Sequence, residues 1–306
     1  MCLVVVKNVC SFKCRQGVCP AETHTHTMSM FRVSTAQGVS FKLTMEAIGH
    51  CHITETNFKF NKHGITATQI DPAHNMVLHL LLERPSFQIF EMHEEEIIAG
   101  VSITTLTRLL KNVTNKDTIT LSIDYNEPSL LNVVIYNDFN KTKMTHKLKI
   151  LLLDEEDIKI PEREIDRVVS MPSSEFSKYI KEFAHTAKRV QFHVKNDEFK
   201  IRAHDDMCTS EAVIYPKMNV KGEVHGSGSI SIGLGRNGNS EVCQSFNTKY
   251  LQSITKGNSL DDQILLYLTR QQPLLVRYNI SIIGSLVYIL APDEPDQPTE
   301  DNTPQK

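Results

Sequence analysis

The pattern of helices and strands predicted for this chain repeats once, and this repeat constrains the fold more than any other feature. Each half contains two amphipathic helical segments, each followed by a run of strand-like segments. An extended linker between the halves ends at Ile160-Pro161, where the proline restricts its predecessor to extended geometry. The matching segments are residues 41–50 and 173–185, 56–74 and 190–206, and 104–123 and 248–268.

Apolar residues three or four positions apart predict the four helices. Ser173 is the predicted N-cap of the third helix, because a serine hydroxyl can accept a hydrogen bond from an unpaired amide of the first turn. The predicted inward faces consist of Phe41, Met45 and Ile48; Leu106, Leu109 and Leu110; Phe176, Ile180 and Phe183; and Tyr250, Leu251 and Ile254.

The sequence contains far more strand-like segments than helical ones, and the two kinds alternate in groups. This pattern predicts an α+β fold in which antiparallel sheets carry helices on one face. The length of 306 residues agrees with two domains. We predict a disordered N-terminal extension (residues 1–29), a first domain (30–149), a linker (150–165), a second domain (166–292) and an acidic disordered tail (293–306). The tail is rich in proline and acid and almost lacks apolar residues.

The N-terminal residues and the cysteines predict an intracellular protein. The apolar run at residues 2–6 is too short for a signal-peptide core, no segment is long enough to span a membrane, and an odd number of cysteines is typical of reduced thiols. Four cysteines fall in the first 19 residues, followed by His24 and His26, so a zinc site is an alternative, although no CxxC pair is present. We favour instead a disordered N-terminal extension, or an upstream start codon ahead of Met28 or Met30. The cysteines are residues 2, 10, 14, 19, 51, 208 and 243.

The net charge of −3 argues at first against nucleic-acid binding, because such proteins usually carry a large positive charge. However, the charge is unevenly distributed. The helical segments at 102–111 and 246–257 are each +2 and the other two are neutral, so the helices carry +4 and the rest of the chain carries −7. Duplicated helices are expected to share one face of the molecule, which would make that face basic.

Three short motifs offer catalytic or metal-binding alternatives, and we favour none of them. Residues 233–238 match GxGxxG, but a dinucleotide site also requires a parallel βαβ unit, and the sequence that follows is typical of a loop. His204-Asp205-Asp206 follows a predicted strand and is typical of a solvated turn, and HEEE at 93–96 is typical of a charged connector. No serine or cysteine lies in a recognisable nucleophile motif. We expect neither a catalytic centre nor a cofactor nor a metal.

Four stretches of the chain resemble the proliferating cell nuclear antigen (PCNA) family of eukaryotic and viral sliding clamps. The resemblance runs in order from about Met30 to Pro292. Four features together make the resemblance specific to this family. They are the I-D-x-x-H step, the acidic linker ending in I-P-E, the M-P-S-x-E-F helix start and the terminal L-A-P. The stretches are GITATQIDPAHNMVLHLLL, LLLDEEDIKIPEREI, MPSSEFSKYIK and GSLVYILAP.

The resemblance implies a ring of three subunits, with sheets outside and helices lining a hole that encircles duplex DNA. Such a nuclear ring (or one in a viral replication compartment) is a processivity factor without catalysis. It tethers DNA polymerase, flap endonuclease and ligase through short peptide motifs, is opened by a clamp loader, and has no membrane partner. DNA contact would be independent of sequence. The implied DNA-binding residues are Lys42, Arg108, Lys111, Lys178, Lys181, Lys249 and Lys256.

The resemblance also implies a partner groove and a subunit interface. The groove would accept a peptide that carries a glutamine with apolar and aromatic anchors, and the interface would pair an edge strand at residues 141–149 with another at 209–216. Its implied interface residues are His146, Val213 and Ile214. The implied groove residues are Ile70, His74, Ile158, Ile160, Pro273, Ile289, Ala291 and Pro292.

Several positions depart from the family pattern. Ile289 replaces an aromatic residue of the groove, and Leu152 and Lys159 replace small or acidic linker residues. Asn196 aligns with the lysine used for ubiquitin attachment, although Lys195 is adjacent. His146 replaces an interface aromatic residue, and an imidazole there would make assembly sensitive to pH. A trimer mass that is constant from about pH 5.5 to 8 would reject this hypothesis.

Two alternatives to a homotrimeric clamp follow from these departures. One is a clamp subunit that is not a homotrimer, either a checkpoint-type subunit or a viral processivity factor. The other is a nucleotide-binding enzyme built on the glycine-rich motif. The mass of the protein in solution separates the first alternative from the homotrimer, and saturable nucleotide binding that is lost in Gly235→Ala would support the second.

Overall fold

The structure is a computed structural model that describes residues 29–154, 158, 164–222, 228–235 and 241–293. The predictions for residues 1–28, for Ile160 and for residues 294–306 lie outside the described residues. Both ends of the described chain are paired with other elements. Ser29 is the first residue of a strand and pairs with Asp124. Asp293 donates its amide to the carbonyl of Ser245 and forms an ion pair with Arg189 at 2.9 Å.

The described part of the N-terminal half contains nine strands and two α-helices. The two helices are α1 (Gly38–Gly49) and α2 (Ile103–Leu110). The strands are β1 (Ser29–Thr35), β2 (Glu55–Asn61), β3 (Gly64–Ile70), β4 (Met76–Glu83), β5 (Ile89–Met92), β6 (Glu96–Ser102), β7 (Asp117–Asp124), β8 (Leu130–Asn137) and β9 (Thr142–Lys149).

The C-terminal half repeats this order of elements. Its helices are α3 (Ser173–Thr186) and α4 (Thr248–Ile254), and a 3-10 turn at Thr255–Ser259 extends α4. The strands are β10 (Arg167–Pro172), β11 (Arg189–Lys195), β12 (Glu198–His204), β13 (Thr209–Ile214), β14 (Ser231–Leu234), β15 (Glu241–Asn247), β16 (Gln263–Leu268), β17 (Leu274–Ile280) and β18 (Gly284–Leu290).

Three antiparallel sheets result, and one of them joins the two halves. The five-stranded sheet has the order β5-β1-β7-β8-β9, and the four-stranded sheet has the order β13-β12-β11-β15. In the nine-stranded sheet, β18 of the second half pairs with β4 of the first, in register from Gly284 opposite Leu82 to Leu290 opposite Met76. The predicted α+β class with antiparallel sheets is confirmed.

The helices bury the faces that their apolar spacing predicts. Met45, Phe176, Ile180 and Leu251 have essentially no exposed surface, and they lie in one core cluster with the inward residues of the sheets. The predicted cap of the third helix is wrong. Pro172 occupies the N-cap position, while the Ser173 hydroxyl donates at 2.6 Å to the carbonyl of Asp261 across the domain. This tertiary hydrogen bond satisfies the hydroxyl instead of a local cap.

In the described part of the chain, no helix has the length and apolar character needed to cross a membrane. The three cysteines that lie there are free thiols: Cys51 is buried, whereas Cys208 and Cys243 are exposed.

Candidate functional site

The predicted basic residues of the helices are mostly free to meet a ligand. Each is exposed except Lys42, which is half-buried. Within the described ranges, none of them forms an ion pair with an acidic residue. Uncompensated ammonium and guanidinium groups on one set of packed helices form a suitable surface for phosphates. These residues are Lys42, Arg108, Lys111, Lys178, Lys181, Lys249 and Lys256.

Lys42 differs from the others because its charge has a structural partner. Its Nζ donates to the main-chain carbonyl of Lys111 at 2.6 Å, just beyond the C-terminal end of α2. A helix C-terminus carries unpaired carbonyls and a partial negative charge, so an ammonium group is stabilised there. Lys42 therefore joins α1 to α2, and it is the least available of the set for another ligand.

Three of the predicted residues lie together in one cleft at the boundary of the two halves. Lys181 of α3, Lys249 of α4 and Lys256 of the following 3-10 turn line a cavity of about 320 Å³. The opposite wall comes from the first half, where His50 and His52 follow α1. Sequence reasoning missed both histidines, because the helix pattern of residues 41–50 carries no sign of what faces its C-terminal end.

The turn after β3 is hydrogen-bonded to a helix of the second half. The carboxylate of Asp71, which is almost fully buried, accepts hydrogen bonds from the amides of Asn75 and Met76 at 2.7 and 2.6 Å. The hydroxyl of Tyr250 on α4 donates to Asp71 Oδ2 at 3.3 Å and accepts from Asn75 Nδ2 at 3.0 Å. The turn thus fixes α4 against the first half.

On the outer face of the nine-stranded sheet, an apolar row crosses four neighbouring strands. Ile70 of β3 lies opposite Val77 of β4, which lies opposite Ile289 of β18, which lies opposite Leu275 of β17. Ile289 is 6% exposed and the other three are half-buried. The sequence analysis identified Ile70 and Ile289. It missed Val77 and Leu275, which only the strand register reveals.

The remaining predicted groove residues lie around this row. His74 is exposed, in the left-handed conformation (φ 56°), in the turn after Ile70. Ala291 donates its amide to the carbonyl of Asn75 at 2.9 Å. Within the described residues, no hydrogen bond reaches the carbonyl oxygens of Ala291 or Pro292. These acceptors remain available to a peptide.

The linker residues do not all join the apolar row. Ile158 is half-buried and lines a separate, largely polar cavity of about 350 Å³ over β2 and β3, together with Asn57 and Gln69. The linker starts along the sheet edge, where the amide of Leu151 donates to the carbonyl of Gly100 at 2.8 Å. Pro273 is half-buried and directly precedes β17. The position of Ile160 falls outside the described residues.

Beneath the row, the aromatic residue beside Ile289 faces the core. Tyr288 is fully buried, with its ring edge-on to that of Tyr278 at a centroid distance of 6.2 Å. Burial also raises the pKa of the neighbouring Cys51 thiol to about 12, so the thiol is neutral at physiological pH. The groove surface therefore has no aromatic residue at either position of this pair, which agrees with the departure noted for Ile289.

The two predicted interface strands are both edges of sheets. β9 ends the five-stranded sheet and β13 ends the four-stranded sheet. His146 on β9 is half-buried and its Nε2 atom has no partner in the described part of the chain. Val213 on β13 is 37% exposed, whereas Ile214 is 4% exposed and packs in the core. Ile214 therefore offers a partner only its main chain.

Among the described residues, the motifs considered for other chemistry show no such site. β14 contains the first two residues of the glycine-rich motif and pairs antiparallel with β10, whereas a dinucleotide site requires a parallel unit. His204 closes β12, with Nδ1 2.7 Å from the Thr209 hydroxyl, and Asp205 lies in the turn to β13. No cluster of potential metal ligands occurs among the described residues.

Comparison with known proteins assigns both halves of the chain. Residues 30–158 match the family model "Proliferating cell nuclear antigen, N-terminal domain", and residues 159–293 match the model of the C-terminal domain of the same family. The chain is 26% identical over 258 residues to the proliferating cell nuclear antigen of Saccharomyces cerevisiae, covering 84% of this chain and 95% of that protein. It is also 26% identical over 263 residues to the same protein of Chaetomium thermophilum, covering 86% and 98%.

Proposed function

This chain belongs to the proliferating cell nuclear antigen family of DNA sliding clamps and processivity factors, and we propose that three copies close head to tail around duplex DNA. In this proposal the ring tethers DNA polymerase and other replication and repair proteins, has no catalytic activity of its own, and works in the nucleus, or in a viral replication compartment if the protein is viral. The proposed DNA-binding, groove and interface residues are those named from the sequence.

One observation carries the proposal. Within the chain, β18 of the second half pairs with β4 of the first. By the repeat, β9 is the counterpart of β18, and β13 is the counterpart of β4. Both counterparts are edge strands of their sheets. If β9 of one copy pairs with β13 of the next, each junction between copies repeats the junction within a copy, and neither of these two edges is left unpaired in the ring.

Charge supports the same arrangement of subunits. β9 carries Lys143 and Lys149 in addition to Lys147, which is paired with Glu127. β13 carries only Glu211, which is paired with Arg202, but it follows the acidic turn at Asp205 and Asp206. Opposite charges on two edges favour their pairing and disfavour the pairing of two copies of the same edge.

The mass of the protein in solution tests the ring. We expect a species of about three times 34.7 kDa. Val213→Lys should shift the protein toward monomer, because it places a further positive charge against the basic β9 edge. The control is Val220→Lys, at a fully exposed loop residue, which should remain trimeric. A wild-type protein that is a stable monomer would contradict the homotrimer and favour the clamp subunit of another class.

Encirclement has a test of its own. A closed ring should be retained on circular duplex DNA after loading and should slide off when the circle is linearised. Equal retention on both forms would contradict a topological link.

For the partner groove, we propose that the apolar row receives the side chains of a partner peptide and that the free carbonyls at Ala291 and Pro292 accept its hydrogen bonds. A labelled synthetic peptide with one glutamine, one aliphatic anchor and aromatic anchors is the probe. Ile289→Ser should weaken binding by about tenfold, because it removes most of the central apolar contact. Ile282→Ser, in the exposed β17–β18 turn, is the control. Equal affinities would contradict the placement of the groove.

A further inference from the structure

The cleft between the two halves on the helical face has an unusual lining. Every titratable group that lines it is basic: His50 and His52 from the segment after α1, Lys181 from α3, Lys249 from α4 and Lys256 from the 3-10 turn. Gln252 adds a neutral donor. The cavity is about 320 Å³, which is large enough for a phosphate group and its water. A cleft that is lined by such hydrogen-bond donors and by no acidic residue is suited to binding an anion.

Hydrogen bonds hold both walls of the cleft in place. Tyr250, next to Lys249, is hydrogen-bonded to Asp71 and Asn75 of the first half. The histidine wall is a compact turn in which the amide of His50 donates to the carbonyl of Glu46 at 3.1 Å and that of His52 to Gly49 at 3.2 Å. His52 adopts the left-handed conformation (φ 62°). The donors are therefore arranged before a ligand arrives.

Two acidic groups lie near the histidines, Asp71 and Glu46, and neither lines the cleft. The Cys51 thiol between them is buried and neutral, since burial raises its pKa to about 12. The carboxylate of Asp71 is engaged by main-chain amides and Tyr250. Glu46, one turn earlier on α1, is the nearest acid along that helix, and it lies outside the cleft lining.

From this geometry we propose that the cleft binds a backbone phosphate of duplex DNA, and that protonation of His50 and His52 strengthens the binding as the pH falls. The proposal rests on the proposed function and adds a regulation of the same face. A phosphate between lysines and imidazoles favours the charged imidazole, so proton binding and phosphate binding reinforce each other. Imidazole is the side chain that ordinarily titrates between pH 5 and 8.

Fluorescence anisotropy with a labelled linear duplex, at constant low ionic strength, tests the inference. From pH 8 to pH 6, the wild-type protein should bind about twofold to tenfold more tightly. The double variant His50→Gln/His52→Asn should lose the gain, so that its affinities at pH 8 and pH 6 are equal. Asparagine is chosen at position 52 because it tolerates the left-handed conformation. Both positions are exposed, so we expect the variant to fold and to keep its oligomeric mass.

A matched control separates these two histidines from the others. His63→Gln replaces an exposed histidine in the β2–β3 turn and should keep the full pH response. Two results would overturn this inference and leave the clamp function intact. One is a wild-type protein that binds DNA with the same affinity at pH 8 and pH 6, and the other is a gain in affinity at pH 6 that survives in the double variant. If the wild type bound duplex DNA at neither pH, the proposed function would fail together with this inference.

Discussion

The two halves of the chain share one order of elements, but they use the basic residues of their helices differently. In the first half, the ammonium of Lys42 is engaged by the carbonyl of Lys111. In the second half, Lys178, Lys181 and Lys249 are exposed and unpaired in the described structure. The apolar faces of both halves are buried alike. Packing therefore fixes the inward positions of a duplicated unit. An outward position can instead serve cohesion, as Lys42 does, or stay exposed to a ligand, as Arg108 and Lys111 do in the first half.

The largest effects should come from the positions that the halves share. Leu106 of α2 and Leu251 of α4 are both essentially fully buried. Replacing either with alanine should lower the free energy of unfolding by about 2 to 5 kcal/mol, because a cavity remains. Urea denaturation of both variants measures this. A loss below about 1 kcal/mol in one half only would contradict equivalent packing.

Each half has an aspartate at or just before the start of the strand that follows its second helix, Asp117 in the first half and Asp261 in the second. Asp117 is buried and accepts hydrogen bonds from the amide and hydroxyl of Thr114 at 2.7 and 2.8 Å and from Asn137 at 2.6 Å. Although burial acts to raise its pKa, these hydrogen bonds lower it overall. Asp117→Asn should cost about 1 to 3 kcal/mol at pH 7.

The pH dependence of Asp117 has a definite sign. Its folded-state pKa lies below the unfolded value, so its contribution is complete above about pH 4 and is lost as the pH falls below that. Unfolding measured between pH 7 and pH 3 should show the difference between wild type and Asp117→Asn shrinking with acid. Asp261→Asn, at the half-buried counterpart in the second half, should have a smaller effect. A constant difference at every pH would contradict this explanation.

Lys42 and Lys178 allow a stabilising role of a helix lysine to be separated from a ligand-binding role. Lys42→Met should lower the free energy of unfolding by about 1 kcal/mol, since it leaves the Lys111 carbonyl without its donor. Lys178→Met should leave stability unchanged but reduce the salt dependence of DNA binding, with the logarithmic slope falling by about 1. Thermal unfolding and a salt titration of duplex binding measure the two effects. The reverse result would contradict the division of roles.

The smallest effect should come from His79, which is half-buried on the outer face of β4 in the first half. Its Nδ1 lies 2.8 Å from the Thr68 hydroxyl, and burial lowers its pKa. The unfolded chain therefore binds the proton more readily, so stability is complete above about pH 6.5 and declines as the pH falls toward 5. His79→Gln should flatten this decline in urea titrations, whereas His93→Gln, at an exposed turn, should not.

Much of the candidate site could be predicted from sequence, since helical periodicity located all four helices. The errors have tertiary causes. Ser173 was predicted as a cap, but its hydroxyl reaches Asp261 instead. Val77 and Leu275 were missed because their alignment with Ile289 depends on which strands are neighbours. His50 and His52 were missed because their basic partners come from the other half of the chain.

The duplicated order of helices and strands, the buried faces and the excess of positive charge on the helical segments can all be read from the amino-acid sequence. These properties depend on neighbours a few positions away, whose periodicity is visible along the chain. In contrast, the three-dimensional structure was needed to show that β18 pairs with β4, that β9 and β13 are edge strands, and that lysines and histidines from both halves share one cleft. These arrangements unite residues far apart in the chain, and their geometry is set by strand register and by the packing between the halves.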